Sequence, residues 1–105
     1  MPQLDHAIEA YIDKRLEVLD ALKRILIEKL KIDREPREID PDTPLFGTGL
    51  QLDSIDAVEL WVSVGERFGF LPPDDVRRVA AMRTLNTLTD LVLSMAEGAT
   101  DDAQR

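Results

Sequence analysis

The sequence predicts an all-α fold: a small four-helix bundle, three longer helices and one short, with a long loop between helices 1 and 2. Three observations predict it. Apolar residues recur at gaps of three and four in three separate segments, which is helical spacing. No alternating pattern long enough for a strand occurs between them. Proline and glycine cluster in the connections, where they interrupt regular structure. With 105 residues, 44% apolar and 32% charged, residues 1–105 form a single domain with room for one core. Aromatic residues make up only 5%, so that core is aliphatic.

The first helix is expected over residues 4–31, from the apolar series Ile8, Tyr11, Ile12, Leu16, Leu19, Leu22, Ile25, Leu26 and Leu30. Pro36, Pro41 and Pro44 then forbid its continuation. Residues Ile32 to Leu52 read as a long ordered loop, with Ile39, Leu45, Phe46 and Leu50 as plugs into the core. Within it, Asp40-Pro41-Asp42-Thr43 superficially suggests a calcium loop. An EF-hand would need Gly at the sixth position and Glu at the twelfth, where this chain has Leu45 and Gln51, so no metal site follows. The second helix is expected to start at Asp53 or Ser54 and run to Phe68, with Gly69 as its stop signal. Pro72-Pro73-Asp74-Asp75 starts a short third helix, Asp74 to Val79. Thr84 is placed as the N-cap of the last helix, which carries Leu85, Leu88, Leu91, Val92 and Met95 on one side. Gly98 is expected to end that helix and residues 99–105 to form a disordered tail.

Charge narrows the function classes. The net charge is −8. From Glu38 to Glu66 there are seven acids and no Lys, Arg or His, whereas the other 14 of the 21 acids face all 13 bases. The imbalance therefore lies in the middle of the chain. Such a field repels nucleic acid and anionic lipid and favours encounter with basic protein surfaces. Every longer apolar stretch is cut by charge, so no segment could cross a bilayer. Met1-Pro2-Gln3-Leu4-Asp5 lacks the basic start and apolar run of a signal peptide, and the expected compartment is the cytoplasm. The absence of cysteine rules out disulfides and thiolate metal sites.

Helix 2 has an unusual distribution of side chains. At 100° per residue, Asp56, Glu59, Ser63 and Glu66 fall within an arc of about 80°. Except for Arg67, the rest of the run from Ile55 to Phe68 is apolar or Gly. A helix on a small bundle needs an apolar stripe only somewhat wider than about 100°. Some of Ile55, Val58, Trp61 and Val62 are therefore expected to be partly exposed beside the acids. An apolar centre with an acidic rim suits a transient protein interface; central burial of the helix is the alternative.

Ser54 sits between Asp53 and Asp56 where the loop turns into this helix. A serine nucleophile needs a base, usually a histidine held by an acid. The single histidine, His6, lies in the first helix, and the surroundings lack the glycines of a nucleophile elbow. Acidic neighbours also work against ionisation of the hydroxyl. Catalysis by Ser54 is therefore not expected, which leaves capping of the helix or service as an acceptor.

The order Leu45-Phe46-Gly47, then Asp53-Ser54-Ile55-Asp56-Ala57-Val58-Glu59-Leu60, then Phe68-Gly69 resembles acyl carrier proteins over residues 19 to 97. The resemblance implies that Ser54 carries a covalent 4'-phosphopantetheine arm, attached by a phosphopantetheinyl transferase. It implies a non-enzymatic monomer that holds acyl intermediates as thioesters for fatty acid, polyketide or specialised lipid synthesis. Asp53, Asp56, Glu59 and Glu66 match the acids that such carriers present to acyl-transfer and condensing enzymes with basic docking surfaces. Ile55 and Val62 match their apolar contacts, and no nucleic acid or membrane insertion is implied.

The match departs in three places. Ile55 follows the serine where fatty-acid carriers usually have Leu. The entry Gly47-Thr48-Gly49-Leu50-Gln51-Leu52 is longer than the typical turn and looks more like specialised type II carriers. Residues 1–18 form an N-terminal helical extension. Arg77, Arg78 and Arg83 make a small basic cluster, read as a solvated face or as an anion or partner contact. An aminoacyl or peptidyl carrier and an unmodified helical adaptor remain the alternatives.

Overall fold

The computed structural model describes the backbone of residues 2–69 and 80–104, and the side chains of residues 7–69 and 80–95. Within them lie three helices, α1 (Pro2–Glu28), α2 (Ser54–Phe68) and α3 (Leu85–Gln104), with one 3-10 turn at Pro36–Glu38. The short helix expected over 74–79 lies outside the described residues.

α1 runs unbroken from Pro2, so the residues placed as an extension continue the first helix. Burial begins only at Val18: Val18, Leu19, Ala21, Leu22, Ile25 and Leu26 form its core face. Ile8, Tyr11, Ile12 and Leu16 keep the helical period but remain exposed. The helix ends at Glu28 rather than at residue 31. Lys31 adopts the left-handed region, φ 60°, and the Ile32 amide donates to the Leu26 carbonyl at 3.1 Å. This is a C-terminal cap of the kind glycine usually makes, and a lysine there gave no stop signal to read.

The core joins α1 to Leu60 and Val64 of α2 and to Leu85, Leu88 and Val92 of α3. Ile39, Leu45 and Leu52 enter it from the loop. Leu22, Leu26, Leu45, Leu60, Leu85 and Leu88 are wholly inaccessible; truncating such a leucine to alanine costs about 2–5 kcal/mol. Thr89, also inaccessible, donates its hydroxyl to the Leu85 carbonyl at 2.8 Å. A buried hydroxyl without a partner would be costly. Arg15 of α1 reaches α3, donating to Asp90 Oδ1 at 2.6 Å and to the Asn86 carbonyl at 3.2 Å. Partial burial works against its charge, but the hydrogen bond and charge of Asp90 outweigh that and raise its pKa.

The loop between α1 and α2 must satisfy its backbone groups without a helix. It does so by tying itself to the start of α3. The Leu45 amide donates to the Arg83 carbonyl at 2.9 Å, and the Asn86 amide to the Pro41 carbonyl at 3.0 Å. Pro44 and Thr84 form an antiparallel bridge. The loop then folds on itself: Leu50 donates to Pro44 and Leu52 to Leu45, both at 2.9 Å. Of the expected plugs, Ile39 and Leu45 are fully buried, while Phe46 and Leu50 are half-buried at the core's edge.

Thr84 caps α3 as expected: its hydroxyl accepts from the Thr87 amide at 3.2 Å, and its own amide donates to Thr87 Oγ1 at 3.0 Å. Leu85, Leu88 and Val92 are buried, and Leu91 and Met95 are half-buried. Gly98 does not end this helix, which stays helical through 99–104 to Gln104, where a tail was expected. A glycine within a helix costs only about 1 kcal/mol against alanine. It stops a helix where it turns left-handed, as Gly69 does after α2 with φ 73° and its amide on the Gly65 carbonyl.

Gly49 is required for a different reason. A Cβ there would lie 1.8 Å from the Pro44 carbonyl oxygen, the same oxygen that accepts from Leu50. Gly49→Ala is therefore expected to cost at least about 2 kcal/mol and to lower the unfolding midpoint by roughly 8 °C or more. Thermal unfolding followed by far-ultraviolet circular dichroism checks it; an unchanged midpoint would contradict this packing.

Candidate functional site

The chain enters α2 through Gln51, left-handed at φ 60°, and Leu52, which is buried. A left-handed glutamine is held there at a local cost of about 1 kcal/mol or more. Leu52 plugs into the core, its amide bonded to Leu45. The next two residues therefore have fixed positions.

Asp53 is the N-cap. Its carboxylate accepts from the Asp56 amide at 2.8 Å, and the Asp56 carboxylate accepts from the Asp53 amide at 3.1 Å. This reciprocal capping box satisfies backbone donors at both positions, and negative charge there suits the positive end of the helix dipole. Ser54 is the first helical residue. Its side chain is exposed, and among the described residues its hydroxyl makes no hydrogen bond. Capping and serine chemistry, which the sequence left tangled, are separate here.

Beside Ser54 opens a groove of about 750 Å³ walled by Phe46, Ala57, Val58, Trp61, Val62 and Met82. Pro44, Arg83 and Thr84 complete its described rim. Its walls come from the loop, from α2 and from the segment before α3. The pocket joins three distant stretches of sequence, and only Ser54, Val58, Trp61 and Val62 among its residues were singled out from α2. The sequence marks Thr84 only as a helix cap, Arg83 only within a basic cluster and Met82 not at all; their place in this groove is set by backbone bonds to Leu45 and Pro44.

The outer face of α2 carries the expected excess of apolar surface. Ile55 is 77% exposed, Val58 63% and Val62 54%, while Trp61 is half-buried. Glu59 and Glu66 are exposed along the same side, as is Asp53 at its head. Two residues of the anticipated acidic arc differ. Ser63 is buried, and Asp56 is half-buried with its carboxylate in the cap. They lie at the edge of the arc that turns toward Leu60, so the buried side of the helix begins with them. The structure thus brings Asp53, Ser54, Ile55, Glu59, Val62 and Glu66 onto one accessible end and face.

Ser54 is flanked by the carboxylates of Asp53 and Asp56, and the single histidine of the sequence, His6, belongs to α1. The serine can accept a group. An exposed hydroxyl at a fixed helix start, lining a largely apolar groove, fits a chain that is attached at one end and apolar at the other.

Comparison with known proteins points the same way. A family model described as a phosphopantetheine attachment site matches residues 20–92. An acyl carrier protein from Thermosynechococcus vestitus is 30% identical over 76 residues, covering 72% of this chain and 88% of that protein. Another, from Picosynechococcus sp., is 35% identical over 60 residues, covering 57% of this chain and 70% of that protein. The family match begins at residue 20, beyond the exposed stripe of α1.

The division of labour at the helix start has a measurable consequence. Asp53→Ala is expected to destabilise the domain by about 1 kcal/mol, whereas Ser54→Ala is expected to change stability by less than about 0.5 kcal/mol. Urea unfolding of both variants checks it; equal losses would return the capping role to the serine.

Proposed function

The chain belongs to the acyl carrier protein family, with its covalently attached 4'-phosphopantetheine, and on that premise we propose that Ser54 is the attachment point. It is a carrier and not an enzyme. The observation that carries the assignment is the exposed Ser54 hydroxyl, which makes no hydrogen bond among the described residues because Asp53 and Asp56 cap the helix without it.

In the attachment step, Ser54 Oγ forms a bond to the phosphorus of coenzyme A that bears the pantetheine. The pyrophosphate linkage breaks, the adenosine bisphosphate half departs, and the transferase takes up the hydroxyl proton. The arm supplies the thiol that this cysteine-free chain lacks, and acyl groups ride on it as thioesters. The chain's own residues do the rest. Leu52 and the capping box hold Ser54 at a constant position, and the groove along Phe46, Trp61 and Met82 shelters an apolar acyl chain from water.

Asp53, Asp56, Glu59 and Glu66 give α2 its acidic field, and Ile55, Val58 and Val62 its apolar centre. That combination suits brief docking of transferases and of acyl-transfer and condensing enzymes with basic surfaces, where charge steers encounter and a small apolar contact completes it. The cargo class is acyl intermediates of fatty acid, polyketide or specialised lipid synthesis. The long entry loop and Ile55 favour a specialised role, and the acidic docking face favours acyl over aminoacyl cargo. The carrier acts as a cytoplasmic monomer.

Two experiments test this reading. Incubation with coenzyme A, magnesium and a broad-specificity phosphopantetheinyl transferase is expected to add one phosphopantetheine to the wild type and none to Ser54→Ala, read by intact mass. A folded wild type that gains no mass refutes it. For docking, Glu59→Lys combined with Glu66→Lys is expected to slow modification by roughly tenfold or more at low salt and to flatten its salt dependence. These two acids are chosen because neither takes part in the cap. Unchanged kinetics would reduce the acids to a solvated face.

A further inference from the structure

Attachment at Ser54 places a phosphodiester anion at a helix start, where the dipole favours it but two carboxylates oppose it. Asp53 and Asp56 flank it, and between Glu38 and Glu66 the sequence offers no cation. The Asp56 amide at this helix start is already taken by the Asp53 carboxylate. A like charge added beside two carboxylates is disfavoured unless a cation answers it. The next base, Arg67, stacks over the Phe68 ring with its guanidinium carbon 5.3 Å from the centroid, and it lines a different groove, between α1 and α2.

Among the described residues, one cation lines the same groove as Ser54. Arg83 is the only charged residue among the described residues that line the groove with Ser54, and none of them is a carboxylate. Its side chain is exposed, and no ion pair joins it to a carboxylate among the described residues. Its backbone is fixed: the Arg83 carbonyl holds the Leu45 amide, and the Leu45 carbonyl holds the amide of Leu52, two residues before Ser54. The Pro44–Thr84 bridge secures the same strap. The backbone that carries Arg83 is therefore tied to the strap that leads into Ser54.

We propose that the Arg83 guanidinium pairs with the phosphodiester on Ser54 and directs the arm along the apolar groove. This rests on attachment at Ser54 and deepens it. Arg83 is a positioning residue: it offsets the carboxylates at the helix start and sets the direction in which the arm leaves. A guanidinium suits this because it presents several donors in one plane to phosphate oxygens and does not lose its charge.

The test uses the holo protein, with complete modification confirmed by intact mass. Phosphorus NMR is recorded for the wild type, Arg83→Gln, Arg83→Lys and Arg67→Gln, and the Arg83 Nε–H resonance is followed from apo to holo. The expected result is a shifted and narrower phosphorus line in Arg83→Gln, a smaller change in Arg83→Lys and none in Arg67→Gln. The wild-type Nε–H resonance is expected to move on modification. Identical phosphorus lines in fully modified wild type and Arg83→Gln would overturn the proposal. A slower transferase reaction in Arg83→Gln with an unchanged phosphorus line would also overturn it, and would make Arg83 a partner contact. A wild type that takes up no phosphopantetheine at all removes the attachment reading first, and this inference with it.

Discussion

The Pro44 carbonyl and its neighbours hold the strap on which the rest of the structure depends. A loop of this length, interrupted by three prolines, cannot satisfy its backbone groups by helix, and its amides would otherwise have to face water. Instead, Leu45 bonds to Arg83, Leu50 to Pro44 and Leu52 to Leu45. Gly49 has no side chain because the Pro44 oxygen occupies the space where one would begin. This set of contacts delivers Leu52 to the core, starts α2 at a defined residue, and places Met82, Arg83 and Thr84 opposite it.

From that constraint follow the two properties of the site. The capping box of Asp53 and Asp56 satisfies the helix start without drawing on Ser54, so the hydroxyl is left for a substituent. The same acids contribute to the acidic field of α2, so the residues that cap the helix also charge its start. The groove beside Ser54 is walled by apolar groups from three chain segments. An exposed hydroxyl and a largely apolar groove therefore meet at one residue.

Much of this was legible in the sequence because it is written locally. Helical periodicity identified the three described helices, Gly69 and Thr84 marked real caps, and the excess of apolar residues on α2 foretold the exposure of Ile55, Val58 and Val62. What was not legible depended on other parts of the chain. Lys31 ends α1 in a conformation that lysine does not advertise, and Gly98 continues a helix because glycine alone does not terminate one. Ser63 and Asp56 fell inside a helical-wheel arc, but Ser63 lies on the side that faces α1 and the Asp56 carboxylate is drawn into the cap. The periodicity of α1 gave no sign that Ile8, Tyr11, Ile12 and Leu16 would stay exposed, since spacing reports a face and not a partner. Arg83 was visible only as part of a basic cluster; its place beside Ser54 comes from backbone bonds to residues about forty positions earlier.

One hydroxyl, freed from capping, is proposed to receive the arm. The chain has no basic residue between Arg37 and Arg67, so tryptic cleavage of the modified protein releases residues 38–67 as a single peptide containing Thr43, Thr48, Ser54 and Ser63. Fragmentation of that peptide by tandem mass spectrometry locates the phosphopantetheine among the four hydroxyls. The account predicts that all of it is on Ser54. Phosphopantetheine on Ser63 or on either threonine, with Ser54 unmodified, would contradict it.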